Sequence, residues 1–218
     1  MDELEFKRLE EDLLKKATKI ENVNLLFLDL SSQATGYSIA NCNFSQKSAN
    51  FTDAGVIWFN NEWDHQEKYH YLYRAITTYF DIVKHIDYCV AEAYKINTKR
   101  LMGCQVSAEM HGSLMSSLAE VGTKYTSLHA QSWRKQLNIH AIKDSKGRRN
   151  FKEPTKQKIL TLVDVPEEIT SNITNNKRQT SSDLYDSLGL GIGYLKQLNF
   201  KTITFNNIQF QSHVGAIE

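Results

Sequence analysis

The chain has 218 residues, of which 41% are hydrophobic and 23% charged, and its formal net charge is +1. That balance excludes wholesale disorder and fits one globular domain, with room for an extension. No apolar run approaches the ~20 residues of a membrane-spanning helix, and the opening stretch MDELEFKRLEEDLLKK lacks the apolar core of a secretory signal.

Three cysteines (Cys42, Cys89, Cys104) make no C-x-x-C pair. Reduced thiols and a cytoplasmic location are the expectation.

Residues 1–23 read as an N-terminal helical arm. Phe6, Leu9, Leu13, Ala17 and Ile20 recur at helical spacing on a charged background. Such an arm is a surface helix or a docking element for a protein partner.

Leu25 to Leu30 is an apolar run and predicts a strand buried on both faces. Ser31 to Ala34 makes a turn, and Thr35 to Ala40 returns as a second strand. A polar loop, Asn41 to Asn50, leads to a third strand over Ala54 to Phe59. The spacing of Tyr69, Leu72, Tyr73, Ile76, Tyr79, Phe80 and Val83 predicts one long amphipathic helix from Asp64 to His85.

Asp87 to Ala93 is a fourth strand, Leu101 to Val121 a helix rich in small residues, and Tyr125 to Ala130 a fifth strand. A short helix over Ser132 to Leu137 and another opened by Pro154 follow. Thr180-x-x-Asp183 resembles a capping box starting a helix that runs to Leu198. Gly189, Gly191 and Gly193 lie inside it, so either that helix packs backbone-close or part of the stretch is loop. Residues 199–218 form a C-terminal tail, in which TITF-NN-IQFQ reads as a hairpin. The class is α/β, with a mixed five-stranded sheet flanked by helices, and residues 24–198 form the main domain.

The net charge hides an asymmetry. Between Trp133 and Lys158 nine basic residues face two acids, so that segment carries +7 and the remainder −6. Its tip, Lys146-Gly147-Arg148-Arg149, suits contact with phosphate.

Four acids stand out. Asp29 sits in the first buried strand and Glu92 near the end of the fourth, where charge is costly unless it is paired. Asp183 and Asp186, three apart, share one face of a helix start. Strands one and four are neighbours in a sheet of this order, so Asp29 and Glu92 lie side by side and call for a cation or a proton. Hard oxygen ligands without His or Cys select Mg²⁺ or Mn²⁺. Two such ions ~3.5–4 Å apart serve in-line phosphoryl displacement. Motifs for a nucleophilic serine, a P-loop or a zinc protease are absent.

Five stretches carry a family resemblance: "LDLSSQATGY", "VAEAY", "LHAQSWRKQL", "PTKQKI" and "SSDLYDSLGLG". In this order they resemble a RuvC-type Holliday junction resolvase of the ribonuclease H-like superfamily. The likeness spans roughly Asn24 to Lys196 and implies a ribonuclease H-like fold. It implies that Asp29, Glu92, Asp183 and Asp186 are the metal-binding catalytic acids, with two Mg²⁺ ions per site and Mn²⁺ able to substitute. It makes Lys135 and Lys156 DNA-contacting positions alongside Lys146, Arg148 and Arg149, and Tyr94 an aromatic at the junction centre.

The partner implied is branched DNA, four-way junctions above all. The assembly implied is a homodimer through the helix from Leu101 to Val121. The family's Asp-Pro-Gly-Ser after strand one is Asp29-Leu30-Ser31-Ser32 here. The arm, the enlarged basic loop and the tail resemble phage-borne or divergent members. The expected activity is a metal-dependent endonuclease resolving branched DNA by paired cuts. The alternatives are a nuclease of RNA or RNA–DNA hybrids, and a branched-DNA binder without catalysis.

Overall fold

The computed structural model describes residues 22–94, 101–145, 147–174 and 177–214. Of the N-terminal arm, residues 1–21 lie outside them, as does Lys146. No helix among the described residues is long and apolar enough to cross a membrane.

The centre is a sheet built on β1 (Val23–Leu30), β2 (Ala34–Asn43) and β3 (Ser48–Trp58), which meander antiparallel. β4 (Tyr88–Glu92) lies parallel to β1, and β5 (Lys124–Leu128) parallel to β4. The order β3-β2-β1-β4-β5 is the expected mixed five-stranded sheet. The strands extend further into the supposed polar loop than the composition suggests. β2 and β3 close through a tight turn in which Asn43 Oδ1 accepts from Ser45 Oγ and the Gln46 amide, and Lys47 takes a positive φ of 51°.

Apart from Asn24 and Asp29, β1 is apolar, because both faces are covered. Leu25 and Phe27 enter one core cluster, and Leu26 and Leu28 another, the period-two split of a strand. Helices α1 (His65–Arg74) and α2 (Leu101–Glu120) pack on the second face. On the first lie α3 (Ala130–Gln136), α4 (Lys152–Leu160) and α5 (Asp183–Gln197).

α1 opens on a reciprocal capping box between Asp64 and Glu67. The long helix expected to His85 is not uniform: from Ala75 to Val83 it widens to π-helical turns, and Thr77 Oγ1 bonds the Tyr73 carbonyl there.

The glycines of α5 settle whether that segment is helix or loop. It is helical to Gln197, and a Cβ on Gly189 or Gly193 would come within 2.6 Å of Trp133, while one on Gly191 would meet Phe27 at 2.8 Å. They let α5 lie close against α3 and the sheet. The supposed capping box at its start does not form. Ser182 is the N-cap without a side-chain bond, and Ser181 Oγ instead accepts from the Asp183 amide at 3.1 Å.

Two further departures concern insertions. The basic loop folds as a small hairpin, β6 (Ile142–Lys143) with β7 (Arg149–Asn150), and the turn-rich stretch before α5 as a second, β8 (Ser171–Thr174) with β9 (Lys177–Thr180). The tail is not a hairpin. β10 (Thr202–Thr204) and β11 (Gln209–Val214) both run parallel to β3, so they extend one sheet edge and bring the sheet to seven strands. Along that edge, Lys84 pairs with the buried Asp53 carboxylate, to which Gln211 of β11 also donates. The tail is thus fixed by side chains as well as by the ladder.

Candidate active site

Three elements deliver the four acids. Asp29 is the penultimate residue of β1, opposite Gly36 of β2. The β1–β4 register pairs Leu28 with Ala91, so the next positions, Asp29 and Glu92, lie side by side at the same sheet end. α5 crosses there. An added Cβ on Gly36 would come within 2.1 Å of the Asp183 carbonyl group, so only glycine lets the helix start sit against the strand. Gly36 is therefore the seat on which the second pair of acids rests.

The electrostatics follow from that convergence. Burial holds the Asp29 carboxyl well above the usual carboxylate range, and Glu92, Asp186 and Asp183 push it further, against partial relief from Arg134. Glu92 is pushed up to about 7 by burial; Arg134 opposes this, Asp186 reinforces it, and the Trp133 hydrogen bond opposes it. Asp186 is raised by burial against the Arg134 guanidinium, and Asp183 by burial against a bond from Ser31 and the charge of Lys152.

Several neighbours hold these carboxylates in place. Trp133 Nε1 donates to Glu92 Oε2 at 2.8 Å, and Ser31 Oγ donates to Asp183 Oδ2 at 2.9 Å. Arg134 Nη2 lies 3.1 Å from Asp186 Oδ1 and 3.8 Å from Glu92 Oε2. Its guanidinium carbon stands 4.6 Å from the Trp133 ring centre and 5.0 Å from that of Phe151. Sequence reasoning missed Arg134, Trp133, Ser31 and Lys152 as members of the site. The available signals were weak: Trp133-Arg134 opens the basic segment, and Ser31 is the small polar residue after Asp29.

Asp29 and Glu92 face an open cleft of about 640 Å³ whose walls include Tyr94, His111, Arg134 and Phe151. Tyr94 is 42% exposed, its ring 5.2 Å from that of His111. The predicted basic residues that the structure describes, Lys135, Arg148, Arg149 and Lys156, are not among the groups that contact the acids. Lys135 is exposed on α3, and Lys156 on α4 sits 5.8 Å over the Tyr185 ring. Arg148 and Arg149 are exposed on the β6–β7 hairpin, where Arg148 pairs with Asp144 at 2.9 Å.

A set of four carboxylates is hard-oxygen chemistry, which fits Mg²⁺ or Mn²⁺, and the mutual repulsion at Asp29 is of the kind a cation relieves. Among the described residues, no three acids, histidines or cysteines stand together as a finished ligand group. The positive charge beside Glu92 and Asp186 here is Arg134.

No family model matches the sequence, and no curated protein matches it. The fold does match solved structures. Thermus thermophilus RuvC in complex with Holliday junction substrate aligns at a TM-score of 0.54 and 11% identity, over 80% of this chain and 96% of that one. Fowlpox virus resolvase with substrate Holliday junction DNA gives 0.50 and 15%, over 81% and 99%. The yeast mitochondrial Holliday junction resolvase gives 0.50 and 14%, over 87% and 85%. The chain thus has a ribonuclease H-like α/β fold. The particular form is the one seen in RuvC-type Holliday junction resolvases, as the sequence resemblance implied, at an identity that marks a divergent sequence.

Proposed function

We propose that this protein is a divalent-metal-dependent endonuclease for branched DNA, with four-way junctions as its main substrate. The observation that carries this reading is the convergence of Asp29, Glu92, Asp183 and Asp186 from three elements, each with its carboxyl raised by burial, beside a cleft that Asp29 and Glu92 line. A structural role for four mutually repelling acids has no counterpart gain, whereas a phosphodiesterase needs such a set.

Asp29, Glu92, Asp183 and Asp186 would hold the ions. When bound, these would polarise the scissile phosphate, ready an attacking water and stabilise the leaving oxygen. The protein's own groups do the rest. Trp133 and Ser31 each occupy one carboxylate oxygen and so orient the lone pairs left free on Glu92 and Asp183. Lys135, Lys146, Arg148, Arg149 and Lys156 attract the polyanion and contact its backbone. Tyr94, exposed at the cleft wall, would stack on an unpaired or strained base.

A homodimer through α2 would set two acid clusters on opposed strands of a two-fold junction, giving paired nicks with 5′-phosphate ends. The reading is tested by offering labelled four-way junction, duplex, flap and RNA–DNA hybrid to the protein, each with and without Mg²⁺. Cleavage confined to branched DNA and to the Mg²⁺ arm is expected. Preferential cleavage of the hybrid would transfer the assignment to RNA-directed hydrolysis. Tight junction binding with no cleavage in either arm would leave a branched-DNA binder.

A further inference from the structure

Arg134 stands out once the site is built. Its side chain is only 16% exposed, and it lies between two acids that the proposed function assigns to cation binding. It is held there from outside the acid cluster. The rings of Trp133 and Phe151 lie 4.6 and 5.0 Å from the guanidinium carbon, and Trp133 is itself tied to Glu92 through its indole nitrogen. α3 therefore presents a preassembled Trp–Arg unit to Glu92 and Asp186 together.

The guanidinium is poorly satisfied in that position. A guanidinium carries five N–H donors. Here its hydrogen bond is the 3.1 Å contact to Asp186 Oδ1, while Nε is buried and has no partner among the described residues. Arg134 is thus bound by charge and stacking, with donors to spare.

We infer that Arg134 is a built-in competitor for the catalytic cation: it bridges Asp186 to Glu92 in the metal-free protein and must release Asp186 for a divalent ion to load. This rests on the reading of the four acids as a cation site. The physical reason is simple. Asp186 Oδ1 cannot serve a guanidinium and a metal at full strength at once, and a second positive charge a few ångströms away lowers the affinity of any cation that enters. Without Arg134, Asp29, Glu92 and Asp186 would lose the positive charge that most relieves them.

Removing Arg134 therefore has two effects of opposite sign. The metal-free protein becomes less stable, and the metal binds more tightly. A residue that merely shored up the site would lower both.

The test titrates Mn²⁺ into the full chain, following free Mn²⁺ by electron paramagnetic resonance, and separately measures Tm in EDTA. Arg134→Gln is expected to bind Mn²⁺ at least about tenfold more tightly than the unaltered protein and to melt lower in EDTA. Arg134→Lys, which keeps the charge, is expected to bind within about threefold of it. Phe151→Leu loosens one wall of the stack without touching the acids. It is expected to tighten Mn²⁺ by roughly two- to threefold, and it stands in for Arg134→Gln if that variant does not fold.

Mn²⁺ affinity that is unchanged or weaker in both Arg134→Gln and Phe151→Leu overturns the inference. Asp29→Asn separates the two levels. If Mn²⁺ binding survives that change, the acid-site reading falls and the competitor with it. If binding is lost in Asp29→Asn yet unmoved by the Arg134 and Phe151 variants, only the competitor falls.

Discussion

Glu92 shows how much a single side chain bears here. Its carboxyl is pushed to about 7, above the ordinary value of 4.5, with burial the first cause. A raised acid takes up protons more readily folded than unfolded. Its stabilisation is therefore complete below the unfolded value and is lost as pH rises through the folded one. In EDTA, the difference in Tm between the unaltered protein and Glu92→Gln should shift in favour of Glu92→Gln as pH climbs from about 5 to about 8. By pH 8 the variant should melt higher by roughly 2–4 °C. Taking the difference cancels the opposing contribution of His111 and His213, whose values burial lowers. A flat difference across that range would mean that Glu92 is not held in the repulsive cluster described.

At this scale the sequence was informative about charge and silent about partners. Asp29 and Glu92 stand out as single carboxylates in apolar runs, a local anomaly that one strand displays by itself. Arg134 and Ser31 gain their meaning only across gaps of 52 and 152 residues. No periodicity encodes such contacts.

Among the elements, α5 positions half of the acids, and Gly36 is where it is seated. Gly36→Ala would put a Cβ 2.1 Å from the Asp183 backbone, which must move. A loss of about 1–3 kcal/mol in stability is expected. Activity should fall further than stability accounts for, because Asp183 and Asp186 shift together. Urea unfolding alongside cleavage rates measures both, and a variant of unchanged activity would dissociate the β2–α5 packing from the site.

The β6–β7 hairpin carries a second expectation. Neutralising Arg148 and Arg149 together should weaken binding to every DNA sequence alike and reduce the salt slope by roughly one for each phosphate no longer neutralised. Because Arg148 already pairs with Asp144, the larger share should come from Arg149. An unchanged slope would make the hairpin a solvated surface. The elements themselves were largely legible, since alternation marks strands and 3.6-residue spacing marks helices. The tail was misread for a physical reason: two short alternating runs around Asn206-Asn207 look the same whether they pair with each other or, as here, both pair with β3.

For the molecule as a whole, the expected assembly is a homodimer through α2. Two features of that helix suit a partner. A Cβ on Gly112 would have nothing within 4 Å, and Met115 is 53% exposed. Gly112→Leu should therefore leave the monomer's fold intact, weaken the dimer in sedimentation by about tenfold or more in Kd, and turn paired cuts into single nicks. A monomeric protein that still makes paired cuts would remove α2 from the mechanism.

The proposed function depends on the four acids forming a nucleolytic site. The most direct measurement is cleavage of a labelled four-way junction in Mg²⁺ by the unaltered protein and by Glu92→Gln, with binding followed in parallel. Symmetric paired nicks are expected from the first. The second should bind as tightly or more tightly and cut at least about a thousandfold more slowly, since one metal-binding carboxylate and its repulsion of phosphate are both gone. Equal cleavage by the two proteins would refute the acid site, whatever the fold resembles.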